Sequence, residues 1–385
     1  MDVLGYARKD GKTGIRNYVI VLPTVACVNG IANGIAQRLP EIKALTHGHG
    51  CGRMGNDAKN HIRTLVGIGK NPNVAGVLVL GLGCEIIKAK EVAEAIRESG
   101  KPVDVLIAQE EGGTYQTIEK AIPILQQMLK QAAQAERIPV KLSEIILGLE
   151  CGGSDALSGV TANTAIGYAS DWIVDQGGTV ILTEATEMIG TAHILRRRAR
   201  TPELGERIEQ FVDFHEKRAN EKLGEVAKVI ISPGNMDGGM STIREKSLGC
   251  IIKGGTTTIN ELLEYGQCPS EKGLVIMDGP GYDVESLTGL AVAGAQVMIF
   301  STGRGTPFGF PVVPVIKVAS NSSLYASMPD DMDINAGVLL EGTTLGELGK
   351  LVIGKIMETI AGEPTCAEAS QVDSAIYPYV TDLSF

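Results

Sequence analysis

The chain has 385 residues, 44% of them hydrophobic, and a formal net charge of −10. That length exceeds what one hydrophobic core usually serves and predicts two α/β domains, while the negative charge excludes nucleic acid as a partner. No apolar run reaches membrane-spanning length and the charged N-terminus lacks a signal peptide's apolar stretch, so a cytoplasmic protein with no membrane contact is expected.

In chain order, the apolar run NYVIVLP reads as a buried strand leading into the helical VNGIANGIAQRL. The short EIKALT precedes the glycine-rich THGHGCGRMG, and DAKNHIRTLVGIG follows as a helix. VAGVLVL leads through GLGCE into the helical KAKEVAEAIRES, and GTYQTIEKAIPILQQMLKQAAQAER reads as one long helix. That helix ends near IPVKLSE, where the domain boundary is expected at about residue 140, giving domains 1–140 and 141–385. SEIILGLE then leads through CGGSD into TANTAIGYASDWIVDQ, followed by TVILTEA and by a charged helical stretch from RRRARTPELGERIEQF to HEKRANEK. VAKVIISPGN, GLVIMDGPGYD, AQVMIFSTGRG and PVVPVIKVAS supply later strands. Strands buried on both faces that alternate with helices predict two Rossmann-like α/β domains with mainly parallel sheets and crossover helices. The Gly-rich breaks then fall at carboxyl ends of strands, where open α/β sheets bind ligands.

Seven cysteines, an odd number, in a cytosolic chain argue against a disulfide framework. Cys27, Cys250, Cys268 and Cys366 read as small buried apolar residues. Cys51, Cys84 and Cys151 differ, each sitting just past an expected strand with glycine close by. Three thiolates from three strand ends can hold one iron or zinc ion, or three corners of a [4Fe–4S] cluster with an open iron. Gly50, Gly52 and Gly55 match G-x-G-x-x-G, but no acidic residue lies about twenty positions on, so a dinucleotide is excluded.

His47 and His49 lie in a glycine loop that suits proton transfer or metal binding. His61 reads as structural or superficial, and His215 as solvated. Glu85 follows Cys84 and can act as a base or cap a helix, and Asp155 reads first as a cap. Arg16, Arg244, Lys246 and Arg304 sit in or beside Gly/Ser/Thr-rich turns, which suits carboxylate binding. SPGNMDGG adds the hydroxyl of Ser232 and the amide of Asn235 for a polyhydroxy acid. Asp330, Asp331 and Asp333 read as an acidic turn or a hard-metal site.

The motifs GYARKDGKTGIRNYVIVLPT, GLGCE, LECGGSDALSGVTANTAIG, SPGNMDGGMSTIREKSLG, KGGTTTINELLEY, MDGPGYDVESLTGLAVAGAQVMIFSTGRGTPFG and DMDINAG occur in this order along nearly the whole chain. Together they resemble the altronate/galactarate dehydratase family. The resemblance implies a lyase that removes water from a sugar acid, with dependence on iron or another divalent metal. Such enzymes carry a further small SAF-type domain ahead of GYARKDGKTGIRN, so a separate small SAF subunit and a hetero-oligomer, a dimer or larger, are expected. A split arrangement is also similar to the large subunit of (2R)-sulfolactate sulfo-lyase. The mechanism the resemblance implies is a β-elimination. His49, Glu85 or a group on the small subunit takes the α proton, Arg16, Lys246 and Arg304 bind the carboxylate, and Cys51, Cys84 and Cys151 hold the metal. A metal-binding subunit without chemistry is the competing expectation.

Overall fold

The computed structural model describes residues 2–224, 226, 231–372 and 375–381. Its apolar runs pair as two parallel sheets. The first joins β3 (Tyr18–Pro23), β4 (Lys43–Ala44), β5 (Val74–Gly81) and β6 (Val103–Ile107) in the order β4-β3-β5-β6. The second has seven strands: β8 (Ile146–Cys151), β9 (Thr179–Leu182), β10 (Ile259–Leu263), β11 (Gly273–Met277), β12 (Val297–Thr302), β13 (Val315–Ala319) and β14 (Ile334–Asn335). Their order is β10-β11-β9-β8-β12-β13-β14. Beyond the parallel architecture expected, β1 (Asp2–Ala7), β2 (Thr13–Gly14) and β7 (Ile138–Lys141) form a small antiparallel sheet. Among the described residues, no helix is long and apolar enough to cross a membrane.

The expected helices form with small changes. Thr114–Ala133 is one helix, and it accommodates Pro123. The charged stretch splits into Ala192–Arg197 and Pro202–Leu223. The Thr201 side chain accepts the Leu204 N–H and Pro202 fills the first turn, so the second helix starts there. Most of the strand expected in VAKVIISPGN falls outside the described residues.

The seven-stranded sheet packs Leu147, Leu149, Ile316 and Val318 on one face against the helices Ala162–Asp175 and Leu345–Ala361. Its other face, with Met298 and Phe300, shares one core with Leu287 and Leu290 of the helix Asp283–Val292 and with Leu65, Ile68, Val77 and Val79 of the first sheet's layer. Here Gly67 of the helix Gly55–Lys70 lets that helix approach Asp283–Val292 closely, since a Cβ at Gly67 would stand 2.5 Å from Val292 Cγ1. Two buried amides fasten the same interface: Asn71 donates to the Ala291 and Ala295 carbonyls, and Asn73 to those of Gln296 and Val312. Near the C-terminus, Ile376 N–H donates to Thr46 O, Tyr377 N–H to Thr288 Oγ1, and Thr381 N–H to Asp57 Oδ1. This segment ties the loop after β4 to the helix Asp283–Val292.

Candidate functional site: a buried thiol, carboxylate and lysine cluster

In the seven-stranded sheet the chain runs from β8 to β9 on one side and returns later to β12 on the other. The carboxyl ends of β8 and β12 therefore mark the switch point where such sheets form a crevice. Cys151 is the last residue of β8, and the register sets Ser301 of β12 beside it. Gly152 keeps the turn beyond it tight, because a Cβ there would lie 2.5 Å from the Phe300 ring and 3.0 Å from Asp283 Oδ2.

β9 ends two residues before Glu184, which takes φ +73°, a left-handed conformation uncommon for a residue with a side chain. Its carboxylate holds it there, accepting the Cys151 N–H at 3.0 Å and pairing with Lys253 Nζ. Strain of this kind gathers at functional positions. One turn on, Glu187 Oε2 lies 2.6 Å from Cys151 Sγ, and its other oxygen pairs with Lys246 Nζ.

The remaining members come from the helix Ile243–Cys250 and the turn Ile251–Gly254. Thr242 caps that helix by accepting the Glu245 N–H, and Lys246 and Cys250, four apart, share one face of it. Cys250 Sγ lies 3.3 Å from Cys151 Sγ, and Lys253 Nζ lies 2.9 Å from the same sulfur and 3.7 Å from Glu187 Oε2. Cys151, Glu187 and Cys250 place one ligand atom each within 4.8 Å of one another, and no other trio of His, Cys, Asp or Glu does so among the described residues.

Two carboxylates and two ammonium groups thus share a nearly dry space, which is tolerable only because each charge has a partner. Burial pushes the Glu184 carboxyl up to about 8, helped by the Glu187 charge and opposed by Lys253. Burial also works against ionised Glu187, but Lys246 and Lys253 outweigh it and hold that carboxyl down to about 2. Lys246 and Lys253 are raised despite burial, chiefly by Glu187 for the first and by Cys151 and Glu184 for the second. Burial raises the Cys151 thiol. At the edge of the cluster, burial and then the Glu187 charge push Asp283 up to about 6. Beneath it, Glu150 accepts from Ser286 Oγ and leaves Oε1 without a partner among the described residues.

The expected site residues fall into three groups. Cys151 and Lys246 belong to the cluster. Arg304 is exposed at the lip, where its backbone N–H donates to Gly153 O, and it has no ion-pair partner among the described residues. Asn235 is buried close by, donating to Ser154 O at 3.4 Å, and Ser232 caps the short helix Pro233–Asp237.

A second group is committed elsewhere. Arg16 forms a two-pronged pair with Glu368 and donates to the Thr359 and Glu363 carbonyls. Arg244 pairs with Glu216 on the surface. Glu85 is buried, and its carboxylate accepts from Leu82 N–H at 3.1 Å, Gly83 N–H at 2.6 Å and Thr24 Oγ1 at 2.9 Å. It fastens the loop after β5 to the end of β3.

The third group lies at the carboxyl ends of the four-stranded sheet. Cys51 and Cys84 are exposed there and do not join the group that holds Cys151. His47 is buried, with Nε2 2.8 Å from Pro23 O and Nδ1 accepting the His49 N–H, and burial lowers its pKa to about 4. His49 is half-buried on the same loop.

Several readings from sequence are corrected. Cys250 is a member of the cluster rather than a filler thiol, while Cys27 and Cys268 are exposed rather than buried. His215 is buried against Asp278, 3.0 Å away, because it faces inward from its otherwise charged helix. Asp333 serves structure, accepting the Lys317 and Cys366 N–H groups and pairing with Lys355. Glu184, Glu187 and Lys253 carry no motif that points to them in the sequence. The acidic TEATE after an expected strand, and a lysine three residues beyond Cys250, were the available signals.

The chain is similar to known proteins along nearly its whole length. Residues 5–133 match the family described as D-galactarate dehydratase/Altronate hydrolase, second domain, and residues 142–381 match D-galactarate/Altronate dehydratase, C-terminal. The chain is 39% identical to altronate dehydratase of Bacillus subtilis (strain 168) over 349 residues, covering 88% of this chain and 69% of that protein. It is 36% identical to altronate dehydratase of Escherichia coli (strain K12), covering 94% and 74%. It is 34% identical to the (2R)-sulfolactate sulfo-lyase subunit beta of Chromohalobacter salexigens, covering 95% and 94%. With both matched regions spanning the two sheets and the cluster lying within the second, the chain belongs to the D-galactarate/altronate dehydratase family.

Proposed function

We propose that this chain is the large subunit of a metal-dependent carbon–oxygen lyase that dehydrates a sugar acid of the altronate or galactarate type to a 2-keto-3-deoxy acid. The observation that carries the reading is the buried meeting of Cys151, Glu187 and Cys250 beside two lysines at the sheet's switch point. Two sulfurs and one carboxylate oxygen suit iron(II) or another borderline divalent cation, so the donor set fits the metal the family implies. When bound, such an ion supplies Lewis-acid assistance to the departing hydroxyl.

The chain's own groups divide the remaining work. Lys246, inward-facing and paired with Glu187, presents positive charge to the substrate carboxylate as its enediolate form develops. Arg304 at the lip receives the far end of the acid. Asp283, with a carboxyl near 6, is matched to accept the proton α to the carboxylate. Glu184, paired with Lys253 and accepting the Cys151 N–H, keeps the Lys253 ammonium positioned beside the Cys151 sulfur. A small partner subunit completes the enzyme, a reading favoured by the near end-to-end match to a protein named as a subunit beta.

That same match favours one second reading, cleavage of (2R)-sulfolactate to sulfite and pyruvate. The test is an anaerobic assay of the iron-loaded chain, with and without the small subunit, on altronate, galactarate and (2R)-sulfolactate. Release of a 2-keto-3-deoxy acid from either sugar acid is expected. Sulfite release alone transfers the assignment to the second reading, and metal binding without turnover on any substrate leaves a non-catalytic subunit.

A further inference from the structure

We propose that Cys151 and Cys250 form a peroxide-closed disulfide that switches the buried centre off. The inference rests on the reading of that centre given above, and names its regulation. The two sulfurs are 3.3 Å apart although 99 positions separate them in the chain, and no other pair of thiols is in contact among the described residues. Closing to a disulfide bond of about 2 Å needs a shift of roughly 1 Å shared between two side chains. Cys250 ends its helix and leads into a turn, so it sits where a backbone yields more easily than inside β8.

The step balances with a hydroperoxide as oxidant. One thiol takes an oxygen and becomes a sulfenic acid, releasing water when the oxidant is hydrogen peroxide. The facing thiol attacks that sulfur, the S–O bond breaks, and a second water leaves. Two thiols have then lost two electrons and two protons to one peroxide. Lys253 Nζ, 2.9 Å from Cys151 Sγ, is placed to steady the attacking thiolate or to protonate the departing hydroxide. Burial favours closure over further oxidation, because Cys151 and Cys250 are 1% and 3% exposed and the neighbouring thiol is nearer than any second oxidant molecule. The exposed Cys27, Cys51, Cys84 and Cys268 lack such a neighbour. Closure consumes both sulfur donors of the centre and leaves Glu187 as its one remaining ligand.

The experiment treats the metal-free full chain with a small molar excess of hydrogen peroxide, blocks remaining thiols, and maps the peptides by mass spectrometry without reduction. The expected result is a linked pair of peptides carrying Cys151 and Cys250, lighter by two hydrogens and returned to free thiols by dithiothreitol. Sulfinic or sulfonic acid on either residue, or both left as thiols while the exposed cysteines oxidise, overturns the switch. A parallel sample preloaded with zinc separates this inference from the metal reading. At least a tenfold slower linkage is expected, whereas linkage at an unchanged rate counts against a metal held by these sulfurs and leaves the disulfide standing.

Discussion

At the carboxyl ends of the four-stranded sheet, Glu85 gives its carboxylate to the Leu82 and Gly83 N–H groups and the Thr24 hydroxyl. At the carboxyl ends of the seven-stranded sheet, Glu184 and Glu187 face Lys253, Lys246 and two thiols. Both mouths follow the same parallel plan, and both put a cysteine and an acid just beyond strands. What separates them is the cover. Among the described residues the first mouth's acid is satisfied by two backbone N–H groups and a hydroxyl, and its thiols Cys51 and Cys84 are exposed. Over the second, the helix Ile243–Cys250 and the turn after it bring a lysine, a cysteine and another lysine down onto the strand ends. Strand-end position selects candidates, and the element that covers them decides which become a charged, dry centre.

Substituting the acids breaks this comparison most sharply. Glu187→Gln removes one carboxylate from a space that still holds two ammonium groups, and should cost about 3–5 kcal/mol of stability together with most of the metal affinity. Glu85→Gln leaves a neutral acceptor in the same loop and should cost about 1–3 kcal/mol with metal affinity unchanged. Urea unfolding and metal titration of both variants measure the contrast. Equal losses from the two would put the mouths on one footing.

The fold was largely legible because it rests on local pattern. Runs such as VAGVLVL and GLVIMDG show β5 and β11 directly, and their alternation with helices dictates parallel pairing. Cys151 was legible for the same reason, since it ends a recognisable strand, and Lys246 lies in the helix that follows the Gly/Ser/Thr-rich GGMST. Cys250, Lys253, Glu184 and Glu187 were not, because no spacing tells which helix will lie over which strand end. Glu184 illustrates the difficulty. Its left-handed backbone is imposed by bonds to Cys151 and to Lys253, the second of them 69 positions away, and not by a local turn signal.

The smallest effect expected concerns Glu285, in the first turn of the helix that joins the two regions. Burial pushes its carboxyl up to about 7, above its unfolded value, so the folded chain holds a proton that the unfolded chain releases. The stability this confers is complete below about pH 4.5 and is lost as pH rises through about 7. Partial exposure limits it to about 1 kcal/mol or less. Glu285→Gln should flatten that slope between about pH 5 and about pH 8 in urea unfolding, and an unchanged slope would assign it to other groups.

The most direct measurement is anomalous diffraction at the iron edge from crystals of the full chain loaded with iron under anaerobic conditions. A single strong peak is expected within bonding distance of Cys151 Sγ, Cys250 Sγ and a Glu187 oxygen. A peak held by Cys51 and Cys84 instead, with the buried trio empty of density, would contradict the account.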